Sequence, residues 1–397
     1  ETLTGAAGGV RLDRSAFSAD TGATDRPSRI TPMPSAPKLG DGGAAADPEF
    51  FLGVRQSAKG LRWLSRLDAT GAQLALAISQ RHGVPELLGR VLAARGASLD
   101  MVPVLLNPTL KALMPDPHSL RDMERGARRL ADAILGQEKI ALFGDYDVDG
   151  ACGCALLHRF LAAHGLDARI YIPDRLFEGY GPNVPAIESL AAEGANLIVT
   201  VDCGTTSFEP LAAGKAKGAD IIVIDHHQAE QRLPEVEAVI NPNRQDDVSG
   251  MGSLCATGVV FLTLVAAARE LRRRGAYGIT RPEPPLLEWL DLVALATVCD
   301  VVPLEGLNRA YVAQGLKIMR GRGNLGLAAL ADAAGLKEAP STYALGFVLG
   351  PRINAGGRIG DSALGAKLLT TAAREEAARI AVLLDRLNRE RKVMETA

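Results

Sequence analysis

Between residues 140 and 241 the chain repeats one unit: a short apolar run, a polar turn, then a stretch with helical periodicity. Mostly aliphatic runs stand at 140–143, 168–172, 197–201, 221–224 and 238–240. The spacers carry apolar residues at helical intervals over 151–164, 184–192 and 208–217. A strand that is apolar on both sides must be covered on both faces. A strand that returns after a helix runs parallel to the one before it. The sequence therefore predicts an α/β fold, a parallel sheet with helices on both faces. In such sheets ligands gather beyond the carboxyl ends of the strands.

Past three of these strands the chain turns acidic. The first strand runs into Gly144-Asp145-Tyr146-Asp147-Val148-Asp149-Gly150, the third into Asp202-Cys203-Gly204, and the fourth into Asp225-His226-His227. An Asp after one strand is an ordinary turn residue. Three acidic segments on one sheet edge are a different matter, because neighbouring carboxylates resist ionising together. These segments contain no Lys or Arg, so a divalent cation is the natural counter-charge. Carboxylate oxygens with one or two imidazoles suit Mn²⁺ or Mg²⁺. Two such ions sharing a carboxylate make a phosphoryl-transfer site.

The rest of the chain constrains function less. Its 397 residues allow two or three domains, and at 47% hydrophobic and 23% charged it reads as globular. A net charge of −2 excludes a chain that is basic overall, so any DNA contact must come from a local patch. The five cysteines are scattered and lack a second pair at zinc-finger spacing; buried thiols in a reducing compartment are expected. No signal peptide and no membrane-length apolar run is seen, so the expected location is cytoplasmic, with no membrane partner. There is no Walker or dinucleotide-binding glycine pattern and no acyl-transfer Gly-x-Ser-x-Gly element.

Residues 1–47 read as a disordered lead, rich in Gly, Ala, Ser, Asp and Pro. A helical region is expected over 48–136, closing with an amphipathic helix from Ser119 that Asp122 helps to cap. Past the sheet, helices are expected over 258–274 and 286–298, joined by a mobile Gly/Pro-rich link, with shorter helices after 300. The last helical pattern, 372–397, stripes Ala377, Ile380, Ala381, Leu384 and Leu387 along one face. Its stripe is expected to lack part of its cover. The chain starts without Met and stops inside this pattern, so it reads as a fragment.

The segments 145–150, 202–204 and 225–227, with Asp300 in Val298-Cys299-Asp300-Val301-Val302-Pro303-Leu304, resemble in order and spacing the four motifs of the DHH phosphoesterase superfamily. Within it the chain is most similar to the RecJ-type exonucleases, through Ile172-Pro173-Asp174-Arg175, Glu178-Gly179-Tyr180-Gly181, the block 294–304, and Gly350-Pro351-Arg352-Ile353-Asn354-Ala355-Gly356-Gly357-Arg358. The resemblance implies a metal-dependent 5′→3′ exonuclease on single-stranded DNA in repair and recombination, holding a 5′ end. It places the catalytic domain at 137–371. It makes 372–397 a connector toward a further domain, whose Gly-Gly-Gly-His run does not occur in these residues. It also implies roles. Asp147 would serve one metal and Asp149 the other, with Asp202 between them and His226 and Asp300 completing the second site. Where some members carry a metal-binding His this chain has Phe143, so Asp145 would stand in as an oxygen ligand. Asp225 would orient an imidazole, and His227 would face the scissile phosphate.

Arg175 is open to two readings, a grip on the terminal phosphate or a surface ion pair. Arg352, Asn354 and Arg358 sit in a Gly-rich segment, where a phosphate site is favoured over a turn between helices. A relative acting on short oligonucleotides, cyclic dinucleotides or pyrophosphate is the alternative. A non-catalytic scaffold is disfavoured, because every motif acid is present.

Overall fold

The computed structural model describes residues 50–175 and 177–396; the lead at 1–47, expected to be disordered, lies outside the described residues. The chain divides into one unit ending at Ala72 and another beginning at Gln73. In the first, Phe51–Gly53 form one 3-10 turn and Phe50 bridges Leu64 in the antiparallel sense. Helix α1 (Ala69–His82) crosses the boundary, and short helices α2 (Glu86–Ala94), α3 (Val102–Leu106) and α4 (Leu110–Leu113) come next.

Then comes α5 (Met123–Leu135), and the alternation begins: β1 (Ile140–Gly144), α6 (Val148–Ala163), β2 (Arg169–Tyr171), α7 (Val184–Ala192), β3 (Leu197–Val201), α8 (Phe208–Ala216), β4 (Asp220–Ile224) and β5 (Ala238–Ile240). Among the described residues these strands make one parallel sheet in the order β2-β1-β3-β4-β5. Alternate residues serve opposite faces. Leu142, Val199, Val201, Ile222 and Ile224 join α5, α6 and α9 (Ala256–Arg273) in one core. Ala141, Phe143, Ile198, Ile221 and Val223 join α7 and α8 in the other. The predicted sheet, covered on both faces, is what the chain forms.

The register does more than build the sheet. Gly144 lies opposite Val201, Val201 opposite Ile224, and Ile224 opposite Ile240. The next residue of each strand therefore falls in one row: Asp145, Asp202, Asp225 and Asn241. Their amides keep the row in place. Asp145 N–H donates to the Val201 carbonyl at 3.2 Å, Asp202 N–H to Ile224 at 3.0 Å, and Asp225 N–H to Ile240 at 3.1 Å.

Beyond α9 the chain is helical: α10 (Leu290–Cys299), α11 (Gly306–Arg320), α12 (Leu325–Ala333), a π-helical turn (Ala344–Leu349), α13 (Gly350–Ile359), α14 (Leu364–Thr370) and α15 (Arg374–Thr396). Helix α10 carries Asp300 at its C-terminal end, at the same side of the fold as the strand ends.

Several expectations are corrected. Helix α5 begins at Met123, because Asp122 is in the left-handed region (φ 59°) and caps nothing with its side chain. That carboxylate instead accepts from Val239 N–H and Arg244, tying the helix start to β5. The link after α9 carries paired hydrogen bonds from Arg272 to Glu283 and sets Tyr277 against His164. The stripe of α15 is fully covered: Ile380, Ala381, Leu384 and Leu387 are buried in the main core, and Ala377 is buried too. No helix of the described residues is long and apolar enough to cross a membrane.

Candidate metal centre

Asp147 is the N-cap of α6. Its Oδ1 accepts the free amides of Asp149 at 2.8 Å and Gly150 at 3.1 Å, which is why the helix starts three residues earlier than periodicity suggests. Asp149, in the first turn, is 1% exposed. Its Oδ2 accepts from Ala256 N–H at 2.6 Å and its Oδ1 from Thr257 N–H at 2.8 Å. One carboxylate thus caps the start of α9 from another helix and complements its dipole. Asp202 takes a left-handed φ of 63°, which turns the chain out of β3 toward the acids from β1.

The imidazoles enter from β4. His226 Nε2 lies 3.2 Å from Asp202 Oδ1 and 3.9 Å from Asp149 Oδ2, and its Nδ1 lies 3.7 Å from Asp300 Oδ2. Asp225 is turned away from the acids. Its Oδ1 accepts the His226 and His227 amides and His227 Nδ1, the last at 2.7 Å, and its Oδ2 accepts Thr205 N–H. Burial alone would raise the Asp225 pKa, but the hydrogen bond and charge of His227 outweigh it and hold the carboxyl well below the usual range. Burial would lower the pKa of His227, and Asp225 reverses that.

Asp145, Asp147 and Asp202 behave oppositely. Burial first, and Asp147 second, push Asp145 up to about 7. Burial and the neighbouring acids also raise Asp147 and Asp202. Asp145 Oδ1 is buried without a hydrogen-bond partner. Three donor sets have their atoms within 4.8 Å of one another: Asp145, Asp147 and Asp202; Asp149, His226 and Asp300; and Asp202, His226 and His227. A buried set of oxygens and imidazole nitrogens, carrying carboxyls that resist ionisation, fits hard divalent cations.

A basic flank borders this cluster. Tyr146 lies between the acids, with the Arg175 guanidinium carbon 5.0 Å from its ring centroid. Burial first, and the neighbouring acids after it, raise the pKa of this phenol, and Arg175 and Arg358 both oppose them. Helix α13 reaches Tyr146 because Gly357 has no side chain; a Cβ there would lie 3.0 Å from both Tyr146 Cβ and its carbonyl oxygen. Arg175 is exposed, and Arg358 is partly so, 3.8 Å from Glu395.

The DHH family N-terminal domain matches residues 139–297, the stretch that builds the row of strand ends. The single-stranded-DNA-specific exonuclease RecJ of Haemophilus influenzae is 37% identical over 293 residues, 73% of this chain and 51% of that protein. RecJ of Salmonella typhimurium is 38% identical over 318 residues, 79% of this chain and 54% of its own length. A crystal structure of exonuclease RecJ bound to manganese superposes with a TM-score of 0.62 at 35% identity, covering 70% of this chain and 68% of that one. This chain belongs to the RecJ branch of the DHH family. Thermus thermophilus RecJ in complex with Mn²⁺ gives a TM-score of 0.69 at 31% identity, covering 84% of this chain and 46% of that one. The chain spans about half the length of the curated RecJ relatives it matches.

The RecJ-like segment 350–358, where a phosphate site was favoured over a turn between helices, is neither an open site at Arg352 nor a turn. It is helix α13, and its first arginine turns inward. Arg352 Nε and Nη2 meet Asp385 Oδ1 at 2.9 Å, and Nη1 donates to the Val348 carbonyl at 2.7 Å. These bonds join α13 to α15. Asn354 keeps a buried Oδ1 without a partner. Breaking a buried ion pair from one side costs about 3–5 kcal/mol, because the other charge stays behind. Asp385→Ala is therefore expected to destabilise by about that much in urea denaturation. The double variant Arg352→Met, Asp385→Leu should recover most of the loss.

Sequence reasoning missed three supports. Asn241 donates to the His227 carbonyl at 2.9 Å, and Asn243 donates to the His226 carbonyl, so together they hold both imidazole-bearing residues from behind. The signal was present: Asn241-Pro242-Asn243 comes directly after β5, at the same strand-end position as the acids. Tyr180, the third, stood in the RecJ-like segment Glu178-Gly179-Tyr180-Gly181 with no role assigned to it.

Proposed function

We propose that this chain is a metal-dependent phosphodiesterase that removes nucleotides from the 5′ end of single-stranded DNA, within DNA repair and recombination in the cytoplasm. One observation carries the reading: two oxygen-rich donor sets share the edge of Asp202 and His226, and exposed arginines stand beside them. Mn²⁺ or Mg²⁺ held there would acidify a bound water and neutralise charge on a phosphoryl group. Asp145, Asp147 and Asp202 would hold one ion; Asp149, His226 and Asp300 the other, with Asp202 between them. Asp225 keeps the Nδ1 proton of His227 in a hydrogen bond, which leaves Nε2 to give a proton to the leaving 3′ oxygen. Arg175 and Arg358 would hold the terminal phosphate against Tyr146.

The test incubates the protein with a 5′-phosphorylated single strand, a duplex or a dinucleotide, with Mn²⁺, Mg²⁺ or a chelator. Metal-stimulated release of mononucleotides from the single strand, abolished by chelation, is expected. Hydrolysis of the dinucleotide alone would overturn the substrate, and no metal-stimulated hydrolysis would overturn the activity. Arg175→Ala is expected to weaken capture of 5′-phosphorylated ends on the order of 10-fold or more, the value of a hydrogen bond to a charged group. Ends bearing a 5′ hydroxyl should be little affected, and steady-state kinetics on the two ends measures the difference.

A further inference from the structure

Tyr180 stands on the loop between β2 and α7. Its neighbours Gly179 and Gly181 both have positive φ, 83° and 75°, a backbone that side chains rarely adopt. The loop is braced from below by Glu178, whose carboxylate accepts from the Tyr171 hydroxyl and from Asp174 N–H. Its effect is to lean Tyr180 over the strand ends. The residue is 55% exposed, but its hydroxyl reaches inward and donates to the Asp202 carbonyl at 3.1 Å. That single hydrogen is then used, and the oxygen turns its lone pairs toward His227. It lies 3.4 Å from both imidazole nitrogens. The two rings meet edge to face, centroids 5.9 Å apart at 73°.

Asp202 is the left-handed residue of the centre, and His227 is its most exposed imidazole, 39% open against 14% for His226. Asp225 holds His227 at one nitrogen, which fixes a point of the ring but leaves its tilt free. We infer that Tyr180 is the strut that sets that tilt: a positioning residue, anchored through its hydroxyl on the Asp202 carbonyl, that aims His227 Nε2 at the leaving oxygen. This rests on the phosphodiesterase reading above, and it adds a residue from the loop after β2, a strand that contributes no acid to the centre.

The experiment compares wild type with Tyr180→Phe on two 5′-phosphorylated single strands. One has a natural terminal linkage. In the other the 3′ oxygen of that linkage is sulfur, which leaves without needing a proton. On the natural strand the variant should lower kcat on the order of 10- to 100-fold, the cost of a small misplacement of a reacting group. KM and Mn²⁺ affinity should not change. On the sulfur strand the defect should disappear. In the metal-free protein, the imidazole ¹⁵N shifts of His227 should move from one tautomer toward a mixture. Adding Tyr180→Phe to His227→Asn should cause no further loss on the natural strand, since the strut acts only through that imidazole. An equal loss on both strands would place Tyr180 in support of Asp202 instead. No loss on either would remove it from the reaction. Wild-type inactivity on both strands would overturn the phosphodiesterase reading itself, which the variant comparison alone does not touch.

Discussion

Asp202→Asn is expected to cost both metal positions and with them all metal-dependent hydrolysis, while the metal-free fold stays intact. The side chain stands between the two donor sets, 3.2 Å from His226 and grouped with Asp145 and Asp147. Even outer supports of a metal ligand are worth 10- to 100-fold in affinity, so the loss here should exceed about 100-fold. Asn is the cleaner probe than Ala, since φ at this residue is 63° and Asn tolerates the left-handed region better. Stability should move the other way. Asp145 is raised from 3.8 to about 7, and Asp202 is raised as well. A carboxyl whose folded pKa is raised contributes stability below its unfolded pKa, and that stability is lost as pH rises through the folded pKa. The metal-free wild type should thus melt lower at pH 8 than at pH 5, and Asp202→Asn should blunt the difference. Calorimetric Mn²⁺ titration with melting curves at both pH values checks it; wild-type metal affinity in the variant would refute the shared position of Asp202.

How much of this was legible depends on where each residue's partner lies. The strands were readable because a doubly covered strand must be continuously apolar, as 197–201 and 221–224 are. The acids were readable because they come straight after those strands, and the parallel register then aligns Asp145, Asp202 and Asp225 without further information. The start of α6 was not. Asp147-Val148-Asp149-Gly150 looks like a turn, and it becomes helix only because Asp147 caps it and Asp149 is wanted by α9, more than a hundred residues on. Arg352 had the right chemistry for phosphate, yet it is held by Asp385, which no local pattern couples to it. Tyr180 stood in the RecJ-like segment Glu178-Gly179-Tyr180-Gly181, but only its hydroxyl contact shows what it does. Residues that act through sequence neighbours could be read, and those that act through a distant helix could not.

Gly150→Ala is expected to damage fold and metal site together. Gly150 is not among the positive-φ residues, so its need is for space and not for conformation. A Cβ would lie 2.5 Å from the Asp145 carbonyl oxygen, 2.6 Å from its nitrogen and 2.8 Å from its carbonyl carbon. These are backbone atoms, and no side-chain rotation relieves the contact. Ala would gain about 0.5–1 kcal/mol in helix propensity. Overpacking costs about 1–3 kcal/mol and sometimes more, and rigid backbone on both sides puts this case at the high end. Either α6 moves from β1 or Asp145 leaves the row, breaking the bond from its N–H to Val201. Both outcomes part Asp145 from Asp147, so metal affinity should fall together with the melting temperature. Gly165→Ala separates this effect from that of a strained glycine. Its φ is +80° and nothing lies within 4 Å of its Cβ position, so it should cost about 1–2 kcal/mol of left-handed strain and leave Mn²⁺ binding untouched. Paired melting and Mn²⁺ titrations of the two variants decide it. If Gly150→Ala bound Mn²⁺ as the wild type does, the close approach of α6 to Asp145 would not be what forms the centre.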